Sequence, residues 1–595
     1  MKKGLTIAFF FICSWASGTT YYVATNGKDS NPGSFSQPWG TWGKAFTSTS
    51  VKAGDTIFIR GGVYNITVNN GSGYRVTRAG TADNLIVYSN FPGEIPILDC
   101  SNVQTTTQYP VAVQASTSDG ANYVKFIGLT VRNHPQYRKD VMTWVKGFGC
   151  ENGFFTFENC TAYNIEGHGF DSYFYNGYPI VNGAHTFINC DAYVCYNPEV
   201  ISGYLPGNAG VGFNSQNWYG TEGHAYAINC RAWECGDQGF SWNGEHYCEA
   251  VGCWSFNNGK LQGDGHGFKL GWHDREYPAA GRLNVVNKNC IAAYNRASGM
   301  TTNDSGEGIA TGMNIYNNLI YHNGYSDHPS WRYQYGLYVY NTPDDDSDEL
   351  LRIFRNNICF DNAYGEVYVA SGAYYTHSHN SWDGGATITA ADFKALPESQ
   401  VAGISLLSSP RNQDGSLPDL GDYFQLADNS DAIDAGLNVG IPFAGEAPDL
   451  GFLETKVAAD TPLIPTLIKA VIENANPSQL VMTYSLPLAN TVPANSAFTV
   501  RVNSTARSLN AVAISGTTVT LTLASPVNYG DQVTVAYTKP SINPIQTPQG
   551  AQAASFAAQT VNNNVAATSP VYVRSSVENA NPSQLVMTYS LPLAN

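Results

Sequence analysis

The feature that most constrains this chain is a phrase that recurs through its middle with no helix between copies. It reads Phe157-Glu158-Asn159-Cys160-Thr161-Ala162-Tyr163-Asn164, then Ile188-Asn189-Cys190-Asp191-Ala192-Tyr193, then Ile228-Asn229-Cys230-Arg231-Ala232-Trp233. Looser copies follow at Gly252 to Asn257, Asn289 to Asn295, Asn317 to Asn323 and Asn356 to Asn362. Aligned on Leu129, the apolar position recurs at Cys160, Cys190, Cys230, Cys253, Ile291, Leu319 and Ile358, at intervals of 23 to 40 residues. Each unit offers two or three short alternating strands separated by Gly or Asn, and too few apolar residues to bury alone, so it must stack on its neighbours. A rung of about 22 to 30 residues with insertions on one side is what a right-handed parallel β-helix requires, with Asn supplying left-handed turns and like-on-like ladders. A position shared by Cys, Ile and Leu reads as inward and apolar. Cys195 and Cys235, each five residues past a column member, are spaced to pair across neighbouring coils.

The chain is expected to be all-β. Tyr21 to Gly33 with Ala53 to Tyr64 resembles the opening coil of bacterial β-helix enzymes, and Asp431 to Gly436 with Asp449 to Phe452 resembles their closing segment, which places the β-helix at 19–456. A linker at 457–469 precedes alternating Val, Thr, Ser and Ala strands over 470–566, the signature of an immunoglobulin-like sandwich. Glu473 to Asn490 is repeated letter for letter at Glu578 to Asn595, a period of 105 residues. Residues 567–595 therefore read as a linker and the truncated start of a second copy, and a lone edge segment is expected to be poorly ordered. Lys2-Lys3, the apolar run Leu5 to Trp15 and Ala16-Ser17-Gly18 read as a signal peptide over 1–18, hence a secreted or cell-surface protein. No later run reaches the length of a membrane span. A net charge of −16 argues against nucleic acid as a partner, so an acidic polymer would have to meet a local basic patch. The expected oligomeric state is a monomer.

A second ladder accompanies the first: Gly169-Phe170-Asp171, Gly212-Phe213-Asn214, Gly239-Phe240-Ser241, Gly267-Phe268-Lys269 and Gly299-Met300-Thr301. Stacking brings the last residues of these triplets onto one face, and a lysine with neighbours about 4.8 Å away is crowded and partly desolvated, as a base requires. His168 and His266 share the position three residues earlier. Six basic residues (Lys260, Lys269, Arg275, Arg282, Lys288, Arg296) fall between Lys260 and Arg296. Arg275 in Trp272-His273-Asp274-Arg275 is a candidate carboxylate clamp, and Trp242, Trp272, His273 and Arg296 are candidate substrate contacts.

The phrase Gly263-Asp264-Gly265-His266-Gly267-Phe268-Lys269-Leu270-Gly271 resembles the catalytic-lysine motif of polysaccharide lyase family 9, pectate and rhamnogalacturonan lyases built on a parallel β-helix. The resemblance implies β-elimination on an acidic polysaccharide with Lys269 as base; His266, placed to donate or accept a proton, and Arg275 are further candidates read from the residues themselves. The resemblance also implies calcium held one and two coils before the lysine. Those positions are Asp237, Gln238, Ser241 and Asn214, with Asp171 within reach, and the family's other acids fall on Gln238 and Ser241. A glycoside hydrolase, which needs converging carboxylates, and a non-catalytic glycan-binding or adhesin β-helix are the alternatives.

Overall fold

Each turn of the chain gives one strand to each of three parallel sheets. In the computed structural model these hold twelve strands from Thr20–Val23 to Tyr375–Ser378 (sheet one), ten from Gly62–Asn65 to Ile358–Phe360 (sheet two) and ten from Tyr74–Val76 to Val367–Val369 (sheet three). Described are residues 18–66, 73–104, 110–141, 144–175, 182–208, 210–218, 222–243, 247–271, 283–303, 312–340, 352–373, 375–455, 465–548, 550–566, 572–577 and 583–589. The expected parallel β-helix is therefore present. At the corner between sheets one and two the chain takes a left-handed residue on successive rungs: Gly128, Asn159, Asn189, Asn229, Gly252, Asn289, Asn317 and Asn356, all with φ between +51° and +64°. Asparagine and glycine tolerate that conformation where most side chains do not.

The bore is filled by stacked columns. Phe148, Phe170, Phe213, Phe240 and Phe268 follow one another with ring centroids 4.8 to 5.1 Å apart. A short helix, Trp42–Thr47, buries Trp42 and Phe46 against Tyr64, Tyr88 and Phe126 at the first coils. The cysteine column is inward as expected, but its continuation differs by one residue. Trp254 pairs with Ile291, Ile291 with Leu319 and Leu319 with Ile358, so Cys253 is followed by Cys290, Asn318 and Asn357. A slip of one position reverses the face. Ile291, Leu319 and Ile358 point out of the bore into a second apolar cluster. The bore column becomes an asparagine ladder, in which the Cys290, Asn318 and Asn357 backbone N–H groups donate to the side-chain oxygens of Asn318, Asn357 and Asn380 at 2.9 to 3.1 Å. All eleven cysteines described are buried free thiols, so the expected Cys195–Cys235 bridge is not formed.

After the last coil the chain turns back over sheet two. Phe393, Leu407, Leu420, Phe424, Leu426 and Leu450 pack on Trp254, Phe256, Ile291, Leu319 and Ile358. The segment is pinned by Asp191, which accepts from Arg231 (2.7 and 2.9 Å) and from Arg411 of the returning chain (2.7 and 3.0 Å). Burial alone would raise the Asp191 carboxyl, but the two guanidinium groups hold it below the ordinary range.

A second compact unit takes in residues 438–448 and 454–595. Its eight strands, from Leu467–Ile472 to Phe556–Asn563, enclose Ile472, Leu480, Met482, Leu521, Val535 and Tyr537. Beyond 566, residues 572–577 and 583–589 are described. Strands Tyr572–Ser576 and Val586–Tyr589 form a hairpin pairing Tyr572 with Tyr589, as Leu467 pairs with Tyr484 105 residues earlier. The repeated sequence carries the information for its own hairpin.

Asp191→Ala leaves two buried guanidinium groups without their carboxylate. The expected cost is about 3–5 kcal/mol, read as a lower melting temperature and faster proteolysis within 386–437. Because the folded carboxyl is depressed, its contribution is present above about pH 4 and fades as pH falls further.

Candidate active site

Strand pairing on sheet three aligns one residue per rung into a continuous outward column: Arg75, Gln114, Gly149, Asp171, Asn214, Ser241, Lys269, Thr301, Tyr338 and Tyr368. The sequence ladder is thus a physical one, and Lys269 is its lysine. Glycine precedes the inward aromatic for a steric reason. A Cβ on Gly267 would lie 2.4 Å from the carbonyl oxygen of Gly299, and one on Gly239 would lie 2.0 Å from Ser255 Oγ.

Lys269 sits on the strand His266–Leu270 with its side chain 20% exposed, and its Nζ is 4.0 Å from Asp264 Oδ2. Asp237 faces the same lysine from the preceding rung and accepts the backbone N–H of Asp264. Burial raises its carboxyl above the ordinary range, with Asp264 reinforcing the shift and Lys269 opposing it. Lys269 therefore stands between two carboxyl groups, Asp237 and Asp264.

His266 is 2% exposed, its Nδ1 has no hydrogen-bond partner among the described residues, and its ring packs edge-on against Tyr333 at 5.0 Å. Burial lowers its pKa to about 3, with Lys269 and His328 adding to the shift and Asp264 opposing it. Its burial favours the neutral imidazole. Trp242, expected to stack on a sugar, is 1% exposed and packs against Phe240 at 5.8 Å; its strand position turns it inward. Arg296 donates to the carbonyls of Asp327 (2.8 Å) and Gly263 (2.5 Å) and so braces the loop before the lysine. Trp272, His273 and Arg275 lie outside the described residues.

Two and more rungs earlier, Asp171 is 1% exposed and fully engaged. It pairs with Lys146 Nζ, with His168 Nδ1 at 2.7 Å and with the side-chain amide of Asn214 at 2.7 Å. Burial pushes its carboxyl up, but Lys146 and His168 outweigh that and hold it well below the ordinary carboxylate range. Lys146 also lies 4.6 Å from the centroid of the Tyr173 ring. Lys146 was absent from the sequence ladder, although Lys146-Gly147-Phe148-Gly149 is the same phrase as His168-Gly169-Phe170-Asp171, one rung earlier.

The calcium ligands implied by the resemblance can be tested against this geometry. Asp171 is consumed by Lys146 and His168, and Asn214 turns its amide toward Asp171. Ser241 Oγ accepts from Asn243 at 2.7 Å. The Gln238 amide, in the orientation that satisfies both its ends, donates to Asp237 at 3.0 Å. One unpaired carboxylate, Asp237, does not fit a cation that takes six to eight oxygens. Among the described residues no group of three or more His, Cys, Asp or Glu side chains is arranged to hold a metal.

This geometry has counterparts. The chain is 29% identical over 453 residues to pectate lyase L of Dickeya chrysanthemi, covering 73% of this chain and 90% of that protein. The crystal structure of pectate lyase Pel9A superposes with a TM-score of 0.52 at 26% identity, over 74% of this chain and 97% of that one. A rhamnogalacturonan lyase structure shares the fold (TM-score 0.50, 22% identity, 69% and 97% coverage). Residues 460–542 match a putative flagellar system-associated repeat.

Trp242→Ala is expected to act as a core truncation. The melting temperature should fall, at a cost of about 3–5 kcal/mol, while the folded protein keeps its KM for polymer.

A family description, "Pel9A-like, right handed beta helix region", matches residues 21–338, and with the ladder lysine and its relatives it shows that the chain belongs to that family of polysaccharide lyases.

Proposed function

We propose that this protein is an exported lyase that cleaves a uronate glycan of the pectate or rhamnogalacturonan type by β-elimination, with Lys269 as the base. The observation that carries the reading is the partly exposed Lys269 in an otherwise uncharged stretch of the ladder from Asn214 to Tyr368. The pectate substrates named for the relatives agree with it. The C5 proton of a uronate is weakly acidic. Its removal builds an enolate on the carboxylate, and the C4–O4 bond then breaks. A free Lys269 amine takes the C5 proton, and as an ammonium it remains beside the developing charge. Asp264, 4.0 Å from the Lys269 Nζ, and Asp237 on the preceding rung are its carboxyl neighbours. The substrate carboxylate needs a cation, and the basic run from Lys260 to Arg296, with Arg275 as its clamp, is our candidate source.

Export rests on the leader-like residues 1–18, of which 1–17 lie outside the described residues. No described helix is long and apolar enough to cross a membrane. A hydrolase is the second reading, favoured by the two carboxyl groups flanking Lys269, one of them raised by burial.

The test is absorbance near 235 nm on homogalacturonan, rhamnogalacturonan I, alginate and glycosaminoglycans. Wild type is expected to generate unsaturated product on one of the pectic polymers, and Lys269→Ala to lose it by more than about a hundredfold. Activity is expected to survive a chelator. Abolition by chelator would instead put a metal on residues outside the described set. New reducing ends without absorbance would make the enzyme a hydrolase, and neither signal would make it a binding protein.

A further inference from the structure

Elimination also requires a proton for the departing O4, and burial of His266, a candidate proton carrier on the rung of Lys269, favours its neutral form. Resting on the lyase reading above, we propose that Tyr333 is the acid that protonates the leaving oxygen, with Tyr340 as its positioning partner.

Tyr333 comes from a short turn, Trp331–Gln334, that leads into the strand Leu337–Val339. The turn is fixed where Ser298 Oγ donates to the Tyr333 carbonyl at 2.9 Å. The ring packs against His266, on the rung of Lys269, and against Tyr338, two rungs further on, at 5.0 and 5.5 Å between centroids. It therefore lies over the rungs that carry Lys269 and Tyr338, from a turn outside the ladder itself.

Among the described residues the hydroxyl shares a hydrogen bond with the Tyr340 hydroxyl at 2.7 Å. Two phenols sharing one hydrogen bond use one proton between them. Tyr340 is the more firmly held, its N–H donating to Thr302 Oγ1 at 3.0 Å and its carbonyl accepting from Arg352 at 2.5 Å. Burial and the neighbouring phenol push its ionisation far upward. With Tyr340 as the donor of that shared hydrogen bond, the Tyr333 proton is the one left for the leaving oxygen. As O4 departs it accepts that proton, and the phenolate formed is stabilised by the Tyr340 hydrogen bond.

The step balances. The C5–H pair becomes the C4=C5 double bond, the C4–O4 pair stays on oxygen, and Tyr333 gives O4 its proton. Lys269 holds the C5 proton until water removes it and returns one to Tyr333.

The test compares Tyr333→Phe, Tyr340→Phe and Lys269→Ala on the polymer that wild type cleaves and on a uronide carrying a nitrophenolate leaving group at C4, which departs without protonation. Circular dichroism first establishes that each variant is folded. Tyr333→Phe should lose about 10²- to 10⁴-fold in kcat on polymer with little change in KM, and should recover on the nitrophenyl substrate. In deuterated water it should also exchange the C5 hydrogen of uncleaved polymer. Tyr340→Phe should lose about tenfold to a hundredfold, the worth of one hydrogen bond to a charged phenolate. Full activity of Tyr333→Phe on polymer, or an equal loss on both substrates, overturns the proposal. Lys269→Ala active on both substrates overturns the base assignment instead.

Discussion

In-register parallel stacking is the constraint on which everything else in the β-helix depends. Each side chain has the corresponding residue of the next rung about 4.8 Å away, so a residue type can be used repeatedly only if it tolerates its own neighbour. Phenylalanine does so by stacking, and asparagine by passing an amide hydrogen bond from rung to rung. Cysteine does so by turning its thiol to a backbone carbonyl of the preceding coil, as Cys190 does to Phe157 and Cys230 to Phe187. Charge is the exception, because like charges in a column repel. The ladder on sheet three accordingly never places two charged residues on consecutive rungs.

Two lysines on this sheet, in different columns, show a contrast in partners. Lys146 and Lys269 stand four rungs apart. The first is 5% exposed and closed into a network with Asp171, His168 and the Tyr173 ring. The second is 20% exposed and holds its nearest carboxylate at 4.0 Å. A buried pair that is fully satisfied fixes structure at the cost of reactivity. The looser arrangement around Lys269, with Asp237 raised by its burial, is what favours Lys269 over Lys146 as the proposed base. Most of the difference between scaffold and site is this difference in partners.

The architecture was legible because its signal is repetition. The Asn-Cys phrase and the Gly-Phe triplets report period and face together, and they placed Lys269, Ser241, Asn214 and Asp171 in one column before any coordinates. The slip at Ile291 shows the limit: Cys290-Ile291 offers two adjacent apolar residues, and only the pairing of Trp254 with Ile291 decides which is inside. Burial of Trp242 and the bracing role of Arg296 were illegible because both depend on contacts from other rungs. Tyr333 was illegible for a different reason. It comes from a turn inserted between sheets, outside the repeat, so no periodicity points to it. Sites built half on the ladder and half on insertions will be half visible in this way.

Five successive rungs carry a cysteine at one bore position, Cys160, Cys190, Cys230, Cys253 and Cys290, all within 1% of complete burial and none cross-linked. Solenoids open by fraying between neighbouring rungs, since each rung contacts only the next. A thiol in this column meets solvent only when its own interface parts. The column is thus a graduated gauge along the axis of the molecule, on which the modification rate of each thiol reads the opening free energy at its own depth.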